Sequence, residues 1–125
     1  MNRLTLVIGN KNYSSWSLRA WLALKRTGAP FREQVFHLAE PGVREKIAER
    51  SPNAKVPSLR HGDLVIWDSL AIGEYLAEQF PDAGLWPEES AARAVARAVT
   101  AEMHAGFAAL RSHMPMDLQI GRAHV

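Results

Sequence analysis

The sequence predicts an α/β fold: a small mixed four-stranded sheet with helices on its faces, followed by one helix of an all-α segment. Three observations carry this. Short β-rich runs alternate with helical periodicity through the first eighty residues, in the order β-α-β, connecting helix, β-β-α. Turn residues separate the third and fourth runs by the interval of a hairpin. Beyond a proline-bounded linker the composition turns alanine-rich, with an apolar stripe at spacings of three and four.

Leu4-Thr5-Leu6-Val7-Ile8 is nearly continuous in apolar residues, as a strand covered on both faces must be. Gly9 to Asn12 has loop composition. From Ser14 to Thr27, Leu18, Trp21, Leu22 and Leu24 recur at helical spacing, with a serine pair at the N-cap end and Gly28 after the last turn. Phe31 to Leu38 reads as the second strand. Pro41-Gly42 opens a short polar helix to about Arg50, with proline near the first helical position.

Ser51-Pro52-Asn53 breaks that helix. Val56 to Arg60 and Leu64 to Trp67 flank His61-Gly62-Asp63 as two hairpin strands. Asp68-Ser69 caps a helix to about Phe80, with Leu70, Ile72, Leu76 and Phe80 facing the interior. The parallel pair joined by a helix and the antiparallel hairpin together require a mixed sheet. Residues 81–87 read as a linker. Val95, Val99, Met103, Phe107 and Leu110 then line one long helix ending before Pro115. A single helix cannot bury such a stripe alone, so either the strand-containing unit or a partner must cover it.

Composition narrows the function. The 125 residues suffice for one compact domain and little more; 47% hydrophobic and 22% charged residues are near globular averages. Fifteen basic and 13 acidic residues are spread along the chain, and no basic block or basic-aromatic stripe points to nucleic acid. With no cysteine, disulfides, thiolate-held metals and protein-borne Cys-x-x-Cys chemistry are excluded. The apolar run after Met1-Asn2-Arg3 is too short for a signal peptide, and no stretch is long enough to span a bilayer. The expected location is therefore the cytoplasm. His37, His61, His104, His113 and His124 show no metal-ligand spacing and receive no site; no metal is expected. Trp16 and Trp21 read as core or rim aromatics.

Four segments, in order, resemble the glutathione transferase superfamily over most of the chain, from about Leu4 to Pro115. Tyr13-Ser14-Ser15-Trp16-Ser17-Leu18-Arg19 stands at the first helix's start, where that family carries its catalytic serine, tyrosine or cysteine. Ser51-Pro52-Asn53-Ala54-Lys55-Val56-Pro57-Ser58-Leu59 is similar to the family's N-P-x-x-K-V-P-x-L segment. Asp68-Ser69-Leu70-Ala71-Ile72-Gly73-Glu74-Tyr75-Leu76 matches its (E/D)-S-x-A-I-x-x-Y-L helix. Leu85-Trp86-Pro87 and the long helix follow. The serine pair and the helix after it look closer to serine-type bacterial and zeta-like members than to tyrosine-type ones.

The resemblance implies a thioredoxin-like glutathione-binding domain over residues 1–80 and a linker over 81–87. It makes residues 88–118 the first helix of a truncated helical domain. The tail, 119–125, reads like translated library adapter, so a non-native end is expected there. The implied activity is conjugation of glutathione to a small electrophile, or its use in an isomerisation, by a homodimer that needs neither nucleic acid nor membrane.

Glutathione must reach its thiolate to react, and a free thiol with a pKa of roughly 8.5 is mostly protonated at neutral pH. Lowering that by about two units takes roughly 2.7 kcal/mol. A helix N-terminus supplies about 0.3–1 kcal/mol and a hydrogen bond to a charged group about 1.5–3. A hydroxyl at a helix start combines both. By resemblance Ser14 is the first choice for it and Ser15 the rival; both also suit plain capping, and Tyr13 offers a third hydroxyl. Val56-Pro57 would be a cis peptide that frees Val56 to pair with the cysteinyl backbone. Asp68 would meet the γ-glutamyl amino group, Ser69 and the helix N-terminus its carboxylate, and Lys55 the glycyl carboxylate.

A second reading belongs to another class: a glutathione transferase-like interaction domain without catalysis. An interaction-only domain has no need of Lys55, Asp68 and Ser69 together. Disulfide reduction is disfavoured because no cysteine can form the mixed disulfide.

Overall fold

The computed structural model describes residues 3–11, 14–114 and 116–117, the side chains of 108, 110 and 111 excepted. Tyr13, the side chain of Leu110, and the tail at 119–125 lie outside the described residues. Four strands form one sheet: β1 (Leu4–Gly9), β2 (Phe31–Phe36), β3 (Ser58–His61) and β4 (Leu64–Trp67). Helices are α1 (Ser15–Thr27), α2 (Val43–Ala48), α3 (Ser69–Gln79), α4 (Ser90–Ala105) and α5 (Ala108–His113), with a 3-10 turn at Pro81–Ala83.

The strand order is β2-β1-β3-β4. β1 and β2 run parallel from Leu4↔Phe31 to Gly9↔Phe36, with α1 as their crossover. β3 is antiparallel to β1, pairing Leu6 with Leu59, and β4 is antiparallel to β3. The mixed sheet expected from the element order is the one observed.

Alternation along β1 sends Leu4, Leu6 and Ile8 to one face. There they meet Ala20 and Leu24 of α1, Leu59 of β3, and Ile72 and Leu76 of α3 in one buried cluster. Trp21, Phe31, Ile66, Tyr75 and Phe80 pack around it. Each fully buried leucine or isoleucine stabilises the fold by about 1.5–3 kcal/mol relative to exposure. The cluster holds α1 and α3 against the same face of the sheet.

Ends of elements follow local chemistry. Gly28 takes a left-handed φ of 75° and its N–H returns to Lys25 O, closing α1. The hairpin loop is only Gly62-Asp63, because His61 still pairs with Leu64; Gly62 supplies the φ of 64°. β2 stops at Phe36, two residues earlier than its apolar pattern suggests, where Leu38 N–H leaves the ladder and donates to Asn10 Oδ1. Likewise β3 begins at Ser58, leaving Val56 and Pro57 before the ladder.

The stripe from Val95 to Leu110 does not lie on one continuous helix. Gly106 N–H bonds to Glu102 O, Phe107 adopts a positive φ of 60°, and α5 restarts at Ala108. Glycine has among the weakest helix preferences, and here it ends α4. Nor does the sheet unit cover the stripe: Val95, Val99, Met103 and Phe107 are all exposed. α4 is tethered instead by Arg97, whose guanidinium meets both Glu74 carboxylate oxygens at 3.3 Å and sits over the Trp86 ring.

Candidate functional site

Four parts of the chain converge on one cleft. Trp16 from α1, Asn53, Lys55, Val56 and Pro57 from the segment before β3, Asp68 and Ser69 from the start of α3, and His104 from α4 enclose a cavity of about 260 Å³. Lys55, Val56 and Pro57 from one segment and Asp68 and Ser69 from another therefore line the same cavity.

The 51–57 segment is organised by Asn53. Its Oδ1 accepts from Ser51 Oγ at 2.8 Å and from Lys55 N–H at 3.1 Å, and Ser51 is buried. Ala54 takes a φ of 57°, and the Val56–Pro57 peptide is cis. Lys55 is exposed and lines the cavity. Val56 lies two residues before the β3 ladder begins, so it stands outside the strand pairing that starts at Ser58.

At the start of α3, Asp68 is the N-cap: its Oδ1 accepts Leu70 N–H at 2.9 Å. Asp68 holds a φ of 78°, a left-handed-side value that aspartate tolerates better than most residues. Ser69 is the first helical residue, in the first turn whose N–H groups have no partner within the helix. A cation-accepting carboxylate and an anion-accepting helix end thus sit one residue apart.

The serine pair sits differently. Ser14 is the N-cap of α1; its Oγ accepts Ser17 N–H at 3.3 Å and donates to Ser17 Oγ at 2.8 Å. Ser15 is the first residue of α1. Trp16, rather than either serine, contributes to the cavity wall from this turn. Trp16, read from the sequence as a core or rim aromatic, is half-buried and lines the cleft.

Three residues of the cleft were not singled out as site residues by the sequence. Asn53 and Trp16 lie within the family-like segments but carry no side-chain type that marks a ligand contact there. His104, expected to have no site, comes in from α4: Nε2 lies 3.1 Å from Asp68 Oδ2, and its ring meets Trp16 edge-on at 4.9 Å between centroids. A helical histidine gives no clue to a partner 36 positions earlier. Among the described residues no group of three or more His, Asp or Glu could hold a metal ion, and no helix is long and apolar enough to cross a membrane.

The mixed four-stranded sheet with helices on its faces defines a thioredoxin-like α/β protein. Residues 13–79, more than half of the chain, match the family model described as glutathione S-transferase, N-terminal domain. This chain belongs to the glutathione S-transferase family. It is 37% identical over 104 residues to a probable maleylacetoacetate isomerase of Caenorhabditis elegans, covering 83% of this chain and 48% of that protein. It superposes with a TM-score of 0.70 at 30% identity on the theta class glutathione S-transferase from the citrus canker pathogen Xanthomonas axonopodis pv. citri. That structure has glutathione bound; the match covers 88% of this chain and 52% of it. A glutathione transferase homolog from Burkholderia, also with bound glutathione, gives a TM-score of 0.73 at 27% identity, covering 88% and 58%. The chain spans about half the length of the curated relatives it matches.

Proposed function

We propose that this protein binds glutathione in the cleft, stabilises its thiolate and directs it at a small electrophile for conjugation or isomerisation. The tripeptide lies along Val56. Its γ-glutamyl amino group meets Asp68, its γ-glutamyl carboxylate meets Ser69 and the α3 N-terminus, and its glycyl carboxylate meets Lys55. Residues 1–80 form the binding unit, 81–87 the linker, and 88 onward the start of a helical domain that lines the electrophile's side. The parent works as a cytoplasmic homodimer, and no metal enters the reaction.

One observation supports this best: Lys55, Val56, Pro57, Asp68 and Ser69 line a single cavity, which therefore carries both a cationic and an anionic side chain. A zwitterionic peptide with two carboxylates and one ammonium matches that combination of groups. Glutathione binding to this chain by calorimetry tests it. Ser69→Ala should weaken binding by about 1.5–3 kcal/mol, the range for a hydrogen bond to a charged group. Lys55→Ala should weaken it less, since Lys55 is exposed. Unchanged affinity in Ser69→Ala removes the assignment.

The alternative, a non-catalytic glutathione transferase-like protein-interaction domain, draws on the engaged hydroxyl of Ser14. That oxygen already donates to Ser17. Titration of the bound thiol separates the two readings.

A further inference from the structure

We infer that α4 completes the proposed glutathione site through His104, a positioning residue that fixes Asp68 for the ligand's amino group. The inference rests on the function proposed above and adds a residue to it.

Asp68 is held from two sides. Oδ1 accepts the backbone N–H of Leu70 at 2.9 Å, and Oδ2 lies 3.1 Å from His104 Nε2. A carboxylate oxygen can only accept, so Nε2 carries the proton in this pair. One bond alone would leave the carboxylate free to rotate; two bonds from different elements, α3 and α4, define its plane. The imidazole is itself seated against Trp16, edge to face at 74° between ring planes. Asp68, His104 and Trp16 all line the 260 Å³ cavity.

A carboxylate offers about four lone-pair sites, and two are used here. The remaining two suit the ammonium of a γ-glutamyl group, which shares the acceptor with His104 rather than opposing it across a bond. The Asp68 side chain is 44% exposed, so without its supports it would lose part of its advantage to water and to rotamer freedom. Pre-orientation of this kind raises affinity by reducing what the ligand must order on binding.

The discriminating probe is a glutathione analogue in which hydrogen replaces the γ-glutamyl amino group, glutaryl-cysteinyl-glycine. Dissociation constants for glutathione and for this analogue are measured by calorimetry on the unaltered chain, His104→Ala, His104→Gln and Asp68→Asn. His104→Ala should weaken glutathione about three- to tenfold, between an exposed ion pair and a charge-assisted hydrogen bond, and leave the analogue's affinity unchanged. His104→Gln should recover part of the loss, because its amide N–H can reach the same carboxylate oxygen. Equal weakening of both ligands by His104→Ala would make His104 a wall or fold residue and overturn the inference. Full glutathione affinity in His104→Ala, with Asp68→Asn and Ser69→Ala still weakened, would overturn the inference alone. Absence of glutathione binding to the unaltered chain would overturn the proposed function, and this inference with it.

Discussion

Gly9 N–H donates to Ser17 Oγ at 3.0 Å, tying the last residue of β1 to the first turn of α1. Ser17 is fully buried, and the same oxygen receives Ser14 Oγ at 2.8 Å. The bond fixes where α1 starts relative to the sheet, and with it the placement of the serine pair. Ser17→Ala should cost about 1–3 kcal/mol, because the buried Gly9 N–H loses that acceptor. Urea denaturation reads the loss directly. A midpoint within error of the unaltered chain would show that the helix start is held by packing alone.

The two serines should separate by thiol titration. Ser14→Ala removes the α1 cap and is expected to cost about 1 kcal/mol of stability. If Ser14 also donates to the thiolate, the same change raises the pKa of bound glutathione and slows turnover about 10- to 150-fold in the parent enzyme. For that donation its hydroxyl must turn from Ser17 Oγ to the sulfur, and the Ser17 hydroxyl can then donate back to Ser14. Glutathione affinity should change much less, since both ends of the tripeptide are held elsewhere. A thiol pKa that moves with Ser15→Ala and not with Ser14→Ala exchanges the two roles. No movement in either variant leaves the helix N-terminus and backbone to carry the effect.

Acid should fray α4 at its first turn. Glu89 caps that helix by accepting Ala92 N–H at 2.6 Å and Ala91 N–H at 3.1 Å. These bonds, Ala92 first and then Ala91, with the Arg93 charge adding a smaller share, lower its carboxyl pKa below the ordinary 4.5, against a small opposing effect of burial. A lowered folded-state pKa means the cap's contribution is present above the unfolded value and is lost as pH falls through the folded one. Amide chemical shifts of Ala91 and Ala92 should therefore change only below about pH 4.5. Glu89→Gln, which keeps an acceptor oxygen without a charge, should flatten that change. Matching titrations in the two proteins would locate the acid response elsewhere.

The exposed stripe of α4 should drive association. Val95 and Val99 are 63% and 60% exposed; Met103, also on α4, and Phe107, just beyond its end, are exposed as well. Contiguous apolar surface of this kind favours burial against a partner. Light scattering on the chain should show concentration-dependent association, and Val95→Glu with Val99→Glu should shift it toward monomer. A monomer at high concentration that binds no apolar-patch dye would contradict the proposed homodimer.

Much of the fold was legible because its signals are local. The apolar run at Leu4–Ile8, the glycine after α1 and the Asp68 cap each act within a few residues, so spacing alone marks them. Boundaries were less legible. β2 ends at Phe36 because Asn10 captures Leu38 N–H from 28 positions away, a competition that no window of sequence contains. The break at Gly106 was visible as a glycine, but the stripe through Phe107 argued for continuity, and local periodicity cannot show that α4 would end there.

The candidate site divides the same way. Lys55, Val56, Pro57, Asp68 and Ser69 belong to two contiguous motifs, and the order of charges along them was readable before any coordinates. Whether the Ser14 hydroxyl stands free or leans on Ser17 depends on how β1 meets α1, which is a matter of packing. Trp16 and His104 entered the cleft only when α1 and α4 were brought beside the start of α3. Sequence determined the elements, their caps and the residue types at two ends of the cleft, because these follow from short-range sterics and hydrogen bonding. Tertiary structure alone decided that His104 meets Asp68, because that contact exists only once the burial of the Leu6–Leu24–Leu76 core and the Arg97–Glu74 tether have set α4 against α3.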